Sequence, residues 1–457
     1  MSRIYAEVFG CSANTADYEM ALGLLLESGH EAVDDAGVAD LLMVFTCTVK
    51  TPTEQHMIRR LRELGRLGKP LVVAGCMPKV QRALIEQTVP DACMLGPDSL
   101  RDVLRVVDEA LSGSKICVAD AERIAKTGFP RHRINPLIHV APIASGCPGD
   151  CSYCIVKLVK GSAFSYPLED IARDASEAIS SGAREIWVTA QDTGAYQYNG
   201  HHLPDLLHAL CQIPGEFLIR VGMMNPDTSR NVLDDLRKSF AHDKVFKFLH
   251  VPVQSGNDET LVRMNRRYSV NDFMDLIDAF REKIPEVTIS TDIICGFPGE
   301  TEAQFLDSAK LVEEVRPDVL NISRFGPRPG TSAAQLKDQL PGWEVKRRSR
   351  LLSKMWRRIS LERNRRWVGW RGRVLVDEKG LKGGWIGRNY AYKPFVLREE
   401  HSLGSFVNVE ASEAFPQYLL GRAVEHRMTS LSGAKMFPNS PNTGSGRGGL
   451  SCQLSLF

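Results

Sequence analysis

Three cysteines fall within eight residues, in Ser145-Gly146-Cys147-Pro148-Gly149-Asp150-Cys151-Ser152-Tyr153-Cys154. A C-x3-C-x2-C loop can place three thiolates on three irons of a 4Fe–4S cube and leave the fourth iron open. A structural zinc site wants a fourth Cys or His close by, and this loop carries none. As plain thiols the three would be an oxidation liability.

A second set is spread through the first 80 residues. Three apolar runs, residues 3–9, 41–45 and 71–74, end in Gly10-Cys11, Thr46-Cys47 and Gly75-Cys76. Helical patterns follow the runs, with Met20, Leu24 and Leu25 on one face of the first and Met57, Ile58, Leu61 and Leu64 in the second. A single cysteine in a strand-end loop is most simply a small buried apolar residue. Three at equivalent places in successive βα units instead converge beyond the carboxyl ends of a parallel sheet, where such sheets bind ligands. Cys93, Cys117, Cys211 and Cys295 have no such company and read as core or loop residues, and Cys452 stands alone near the end.

The elements that must position these thiols are legible in outline. A chain of 457 residues with 43% apolar content is long enough for two to four domains and excludes a disordered or fibrous protein. No segment reaches the roughly 18 uncharged apolar residues of a membrane span, and residues 1–7 do not read as a signal peptide. The reading is a cytoplasmic protein with reduced thiols and no membrane partner.

Residues 1–115 read as a doubly wound, parallel-sheet α/β domain, and 116–138 as a linker rich in Arg, His and Pro. Strands predicted at 139–144, 185–190, 217–223, 246–253, 287–295 and 319–325, alternating with helices, make a partial (βα)6 barrel over 139–335. Barrels of this kind do chemistry at the C-terminal ends of their strands. Between Trp343 and Arg373 twelve Lys/Arg face two acids, so this stretch carries +10 while the remainder sums to −8. It predicts a basic helical segment at 343–367 with Trp356, Trp367 and Trp370 interleaved, then a small antiparallel β-barrel over 368–426. The Ser-, Gly-, Asn- and Pro-rich residues 429–457 read as disordered.

The C-x3-C-x2-C loop with Tyr153 before its last cysteine resembles the radical S-adenosylmethionine superfamily. The resemblance implies that S-adenosylmethionine chelates the open iron and is cleaved reductively, hard chemistry delegated to a cofactor. Within it, Cys11, Cys47 and Cys76, the segments Thr46-Cys47-Thr48-Val49 and Ala74-Gly75-Cys76-Met77-Pro78, and the later runs Gln191-Asp192-Thr193-Gly194-Ala195-Tyr196, His250-Val251-Pro252-Val253-Gln254-Ser255-Gly256 and Thr291-Asp292-Ile293-Ile294-Cys295-Gly296-Phe297-Pro298-Gly299-Glu300-Thr301 are similar to the methylthiotransferases. The likeness runs from residue 1 to about 425 and gives the small barrel its type, TRAM. It implies a second 4Fe–4S cluster on Cys11, Cys47 and Cys76, and S-adenosylmethionine as both radical source and methyl donor. The runs from Thr48 to Glu54 and from Arg133 to Ile138 most resemble the archaeal and eukaryotic branch, which converts N6-threonylcarbamoyladenosine beside the tRNA anticodon to its 2-methylthio derivative. Where the family usually has Asn before Thr-Cys-Thr, this chain has Phe45, which removes a polar group beside Cys47.

Gln191 and Asp192 stand where the superfamily places an acceptor for the methionine amino group, with helix capping as the other role for Asp192. Tyr153, Arg220, Gln254, Ser255 and Asp292 complete the cofactor set, and Arg220 in an apolar strand requires a carboxylate partner from the cofactor or a neighbouring strand. Arg357, Arg358, Arg365, Arg366, Arg388 and Lys393 are the candidate contacts to the anticodon loop. An electron donor and a sulfur source are further partners. Alternatives left open are isopentenyladenosine in tRNA, a ribosomal-protein side chain, and a non-catalytic iron–sulfur RNA-binding redox sensor.

Overall fold

The structure, a computed structural model, describes residues 1–381 and 383–424; the tail read as disordered, with Cys452, lies outside the described residues. Leu41–Thr46 and Leu71–Gly75 are buried at every position, as strands covered on both faces must be. They belong to a six-stranded, all-parallel sheet ordered Glu31–Ala32, Arg3–Val8, Leu41–Thr46, Leu71–Gly75, Cys93–Leu95, Cys117–Val118. Chain order reverses between Arg3–Val8 and Leu41–Thr46, and the crevice beyond their carboxyl ends is the ligand site of a doubly wound sheet. Cys11 and Cys47 stand on either side of it. The sixth strand, Cys117–Val118, comes from residues read as linker, so the connection begins after it.

Six parallel strands follow as two sheets, Ile138–Pro142, Glu185–Thr189 and Leu218–Val221, then Phe248–His250, Thr288–Cys295 and Val319–Arg324. The sheets meet where the Ile219 amide donates to Lys244 O (2.7 Å) and the Phe246 amide to Ile219 O (2.9 Å). Helices pack outside, burying residues such as Ile171, Leu207, Leu236, Phe273, Phe280 and Phe305 in one core with the strands. The fourth strand is shorter than the sequence pattern because Pro252 has no amide to give; pairing resumes irregularly at Gln254, which bridges Ile293.

Arg371–Lys379, Trp385–Arg388, Pro394–Leu397, Leu419–Ala423 and Phe406–Ala414 close a five-stranded barrel. Four joints are antiparallel and one, Pro394–Leu397 against Leu419–Ala423, is parallel, a departure from the all-antiparallel expectation. This barrel closes the N-terminal end of the larger one. Lys393 Nζ lies 2.7 Å from Asp318, just ahead of Val319–Arg324, and the Lys247 amide donates to Tyr390 O (2.7 Å). The 24-residue helix Gly342–Arg365 runs from one end to the other, about 36 Å. Near its start Arg348 pairs with Glu300 (2.7 Å), beyond the carboxyl end of Thr288–Cys295. Farther down, Trp356 Nε1 and Ser360 Oγ donate to Asp318 O.

Candidate active site

The three N-terminal cysteine loops are drawn together by a residue the sequence reading missed. Asn14, 4% exposed on the helix Ser12–Glu27, donates through Nδ2 to Phe9 O (2.6 Å) and Thr46 O (3.4 Å). Its Oδ1 lies against Gly75, so one side chain straps the ends of all three strands. Gly10 and Gly75 hold φ of +113° and +88°, and a Cβ on Gly10 would sit 2.7 Å from Cys47 Cβ; the loops close only with glycine there. Phe45 turns its ring into the core edge-on to Tyr18 (5.7 Å), and Cys47 finds its hydrogen bonds elsewhere, its amide donating to Met57 Sδ (3.2 Å) and the backbone of Thr48 and Val49 facing its thiol.

Burial pushes the Cys47 thiol up to about 11 and Cys76 up to about 12, and each also feels Cys11. Such thiols ionise only against positive charge, which Lys160 brings to Cys76 and which a bound metal cluster would supply. Among the described residues no three His, Cys, Asp or Glu side chains gather as around a single metal ion. Three thiols from three strand ends are the donor set that three irons of a 4Fe–4S cube would take. All ten described cysteines are free thiols.

The Cys147–Cys154 loop lies at the C-terminal end of the barrel, strapped from several sides. The Gly146 amide donates to Gln191 Oε1 (2.7 Å), Ser152 Oγ to Arg263 O (2.9 Å), and the Ala333 amide to Ser152 O (2.8 Å). A Cβ on Gly149 would meet Cys147 Sγ at 3.6 Å and Cys151 Sγ at 3.7 Å, so both sulfurs flank the same glycine. Burial pushes Cys147 up to about 12 and raises Cys154. Arg266 donates to Cys151 Sγ (3.1 Å), to Asn225 Oδ1 (2.5 Å) and to Tyr268 OH (2.8 Å). The sequence reading does not single out Arg266.

The two cysteine sets face one another. Ser12, next to Cys11, is hydrogen-bonded to Thr189 at a barrel strand end (2.6 Å). Arg328, beyond the last barrel strand, pairs with Glu54 (2.7 Å) and donates to Thr51 (3.0 Å) behind the Cys47 loop. Lys160 ends the short helix after Cys154 and is buried 3.4 Å from Asp17, which also holds Lys126. Its charge reaches Cys76 and Cys11.

The remaining cofactor candidates divide. Asp292 takes His250 Nε2 (3.1 Å) and Asn321 Nδ2 (2.6 Å); burial pushes its carboxyl up, but His250 and Asn321 outweigh that and hold it low. Gln254 lies beside it with φ +71°, a strained backbone for a non-glycine residue. Ser255 turns away, toward Ser308 (3.4 Å) on an outer helix, and does not line the pocket. Asp192 caps no turn of its own; it accepts from the Asn225 amide (3.1 Å), Asn225 Nδ2 (2.7 Å) and Thr228 Oγ1 (3.0 Å). Tyr153 packs edge-on to Phe297 (6.5 Å) and anchors the loop. Among the described residues Arg220 has no carboxylate partner: its guanidinium stacks on Trp187 (4.9 Å), Phe248 (5.3 Å) and Tyr392 (5.3 Å) near the small barrel. Aromatic faces stand where the expected counter-ion would, at the small-barrel side of the strand.

Two of the RNA candidates are also corrected. Arg388 is buried against Asp377 within the small barrel (2.7 Å), and Lys393 against Asp318 and Asn364 (2.7 and 2.8 Å), where it joins the two barrels. Arg357, Arg358, Arg365 and Arg366 are exposed, with Arg358 engaged by Glu313 and Glu362. Trp356 and Trp367 are buried and cannot stack on bases, while Trp370 is half-buried.

A parallel sheet bearing three cysteines, set over a partial barrel with a C-x3-C-x2-C loop, defines a radical S-adenosylmethionine enzyme with an added N-terminal α/β domain. Residues 142–312 match the Radical SAM superfamily, 3–96 the "Uncharacterized protein family UPF0004", and 365–424 the TRAM domain. The chain is 42% identical over 428 residues to the "Probable threonylcarbamoyladenosine tRNA methylthiotransferase" of Pyrococcus horikoshii, covering 93% of this chain and 100% of that one. It is 34% identical to the human "Threonylcarbamoyladenosine tRNA methylthiotransferase", covering 93% of this chain and 74% of that one. The chain belongs to the threonylcarbamoyladenosine tRNA methylthiotransferase family. Membership of the radical superfamily implies one 4Fe–4S cluster and S-adenosylmethionine. The radical S-adenosylmethionine methyltransferase TsrM of Kitasatospora setae, 15% identical, aligns with a TM-score of 0.54 over 73% of this chain and 75% of that one, and shares the fold. No helix among the described residues is long and apolar enough to cross a membrane.

Proposed function

We propose that this chain converts N6-threonylcarbamoyladenosine beside the anticodon of tRNA to its 2-methylthio derivative, with one 4Fe–4S cluster on Cys147, Cys151 and Cys154 and a second on Cys11, Cys47 and Cys76. The observation that carries the reading is the meeting of two three-cysteine sets over the C-terminal end of the barrel, bridged by Ser12–Thr189 and Arg328–Glu54. When bound, the clusters and S-adenosylmethionine supply abstraction of an unreactive C–H hydrogen, a sulfur atom and a methyl group.

The chain's own residues hold that chemistry in register. Gln191 fixes Gly146 and so the approach to Cys147. Asp192 ties down Asn225 and Thr228, and Asn225 orients Arg266 toward Cys151. Asp292, kept ionised by His250 and Asn321, is an acceptor in the barrel mouth for cofactor hydroxyl or amino groups. The N-terminal domain lies over that mouth, where the reacting carbon must meet both clusters. Electrons and sulfur come from outside the chain, from a reductant and a sulfide donor.

Single substitutions separate the two sets. Cys151→Ala should abolish cleavage of S-adenosylmethionine altogether. Cys47→Ala should still cleave it while leaving the nucleoside without sulfur. A Cys47 variant that methylthiolates tRNA as the wild type does would remove the second cluster from the reaction.

A further inference from the structure

The helix Gly342–Arg365 carries two populations of cation. Arg347, Arg348, Arg358 and Arg363 pair with carboxylates of the protein itself. Lys346, Arg350, Lys354, Arg357 and Arg365 are all exposed and, among the described residues, pair with no carboxylate. At 3.6 residues per turn these five fall within an arc of about 100°. Trp343, 71% exposed, falls in the same arc. The result is a single-sign stripe with an uncovered indole, about 33 Å from Trp343 to Arg365.

An ordinary solvated helix face alternates its charges. Both acids of this helix are engaged elsewhere, Glu344 by Arg347 and Arg348 and Glu362 by Arg316 and Arg358. Lys346, Arg350 and Lys354 therefore repel one another at i,i+4 spacing with nothing to offset it. A polyanion removes that repulsion.

The ends of the stripe say which polyanion. Trp343 stands at the end of the barrel where the cysteine loops lie. The helix's far end leads to a cavity of about 400 Å³ where the small barrel meets Leu218, lined by Trp370, Tyr390, Phe406, Arg371 and Arg373. There Arg373 lies over the Phe406 ring (4.5 Å), with Glu216 and Glu410 as exposed counter-ions of the two arginines. Aromatic faces beside guanidinium groups suit a nucleotide. The small barrel closes the end of the larger barrel opposite the chemistry, so it offers a contact apart from the one at the cysteine site.

We propose that the tRNA backbone lies along the Trp343–Arg365 stripe, with its anticodon arm at the Trp343 end and a region outside the anticodon loop at the aromatic–arginine cavity. This rests on the tRNA reading above and adds the path the substrate takes and its second point of contact.

The test uses the cluster-loaded full chain, full-length tRNA and an isolated anticodon stem–loop, with binding followed by fluorescence anisotropy across salt concentrations. Wild type should bind full-length tRNA more tightly than the stem–loop. Replacing Lys346, Arg350, Lys354 and Arg357 together with Gln should flatten the slope of log affinity against log salt for full-length tRNA by about 3. It should also shrink the preference for full-length tRNA. If the fourfold variant fails to fold, as its iron content and melting would reveal, Arg350→Gln and Arg357→Gln singly should each flatten the slope by about 0.7–0.9. An unchanged slope, or equal affinity of wild type for stem–loop and full tRNA, overturns the stripe while leaving the tRNA reading intact. Failure of wild type to bind either RNA overturns both.

Discussion

Arg266 and Asn14 do the most to shape the two cysteine sites, and the sequence reading singles out neither. Arg266 places a guanidinium nitrogen 3.1 Å from Cys151 Sγ and fixes the loop against Asn225. Partners of this kind typically contribute 10–100-fold to the function of a metal site. Arg266→Met should therefore slow S-adenosylmethionine cleavage ~10–100-fold while iron bound per chain stays at the wild-type level, checked by iron assay and 5′-deoxyadenosine release; unimpaired cleavage would show that the contact is incidental. The six cysteines themselves were legible because spacing and strand-end position are sequence properties. Arg220, Ser255, Arg388 and Lys393 were misread for one reason: a charged or polar residue in an apolar run signals that a partner exists but not which one. The partners are aromatic rings, an outer-helix serine and the carboxylates Asp377 and Asp318, each on another element.

At the scale of elements, alternating apolar runs and helical patterns gave the N-terminal parallel sheet and the six parallel barrel strands, and the continuous burial of Leu41–Thr46 is what an uninterrupted apolar run must become. Short pairings escaped: Cys117–Val118 is two residues long and could not be told from linker. The parallel joint in the small barrel depends on closure, which no local pattern encodes. The basic helix divides in a way composition cannot show. Arg348 is buried against Glu300, and removing a buried partner strands the other charge. Arg348→Met should destabilise the chain by ~3–5 kcal/mol in denaturant titration, whereas Arg350→Met, on the exposed face, should leave the midpoint where it was. Equal effects would mean that the two faces are not distinct.

For the whole molecule, the small barrel is fastened to the far end of the larger one by buried charge, and that joint carries a pH dependence. Burial and the neighbouring Asp377 push the Glu185 carboxyl upward. Glu185 Oε1 and Asp377 Oδ1 both lack a donor, and one proton between them satisfies the pair. A carboxyl raised in the folded state binds more protons there than when unfolded, so its contribution is greatest below the ordinary value of ~4.3 and erodes as pH rises through the elevated one. Melting temperature should fall from pH 5 toward pH 8, and Glu185→Gln, which keeps a neutral hydrogen-bonding group beside Asp377, should flatten the fall. A profile unchanged by the substitution would remove the shared proton from the account. The end-to-end arrangement also fixes what the enzyme must do at its other end, where both cysteine sets converge. The most direct measurement is anaerobic reconstitution with iron and sulfide, incubation with S-adenosylmethionine, reductant and tRNA bearing N6-threonylcarbamoyladenosine, and mass spectrometry of the digested nucleosides. The account predicts the 2-methylthio derivative of that nucleoside together with 5′-deoxyadenosine; 5′-deoxyadenosine with the nucleoside unchanged would contradict it.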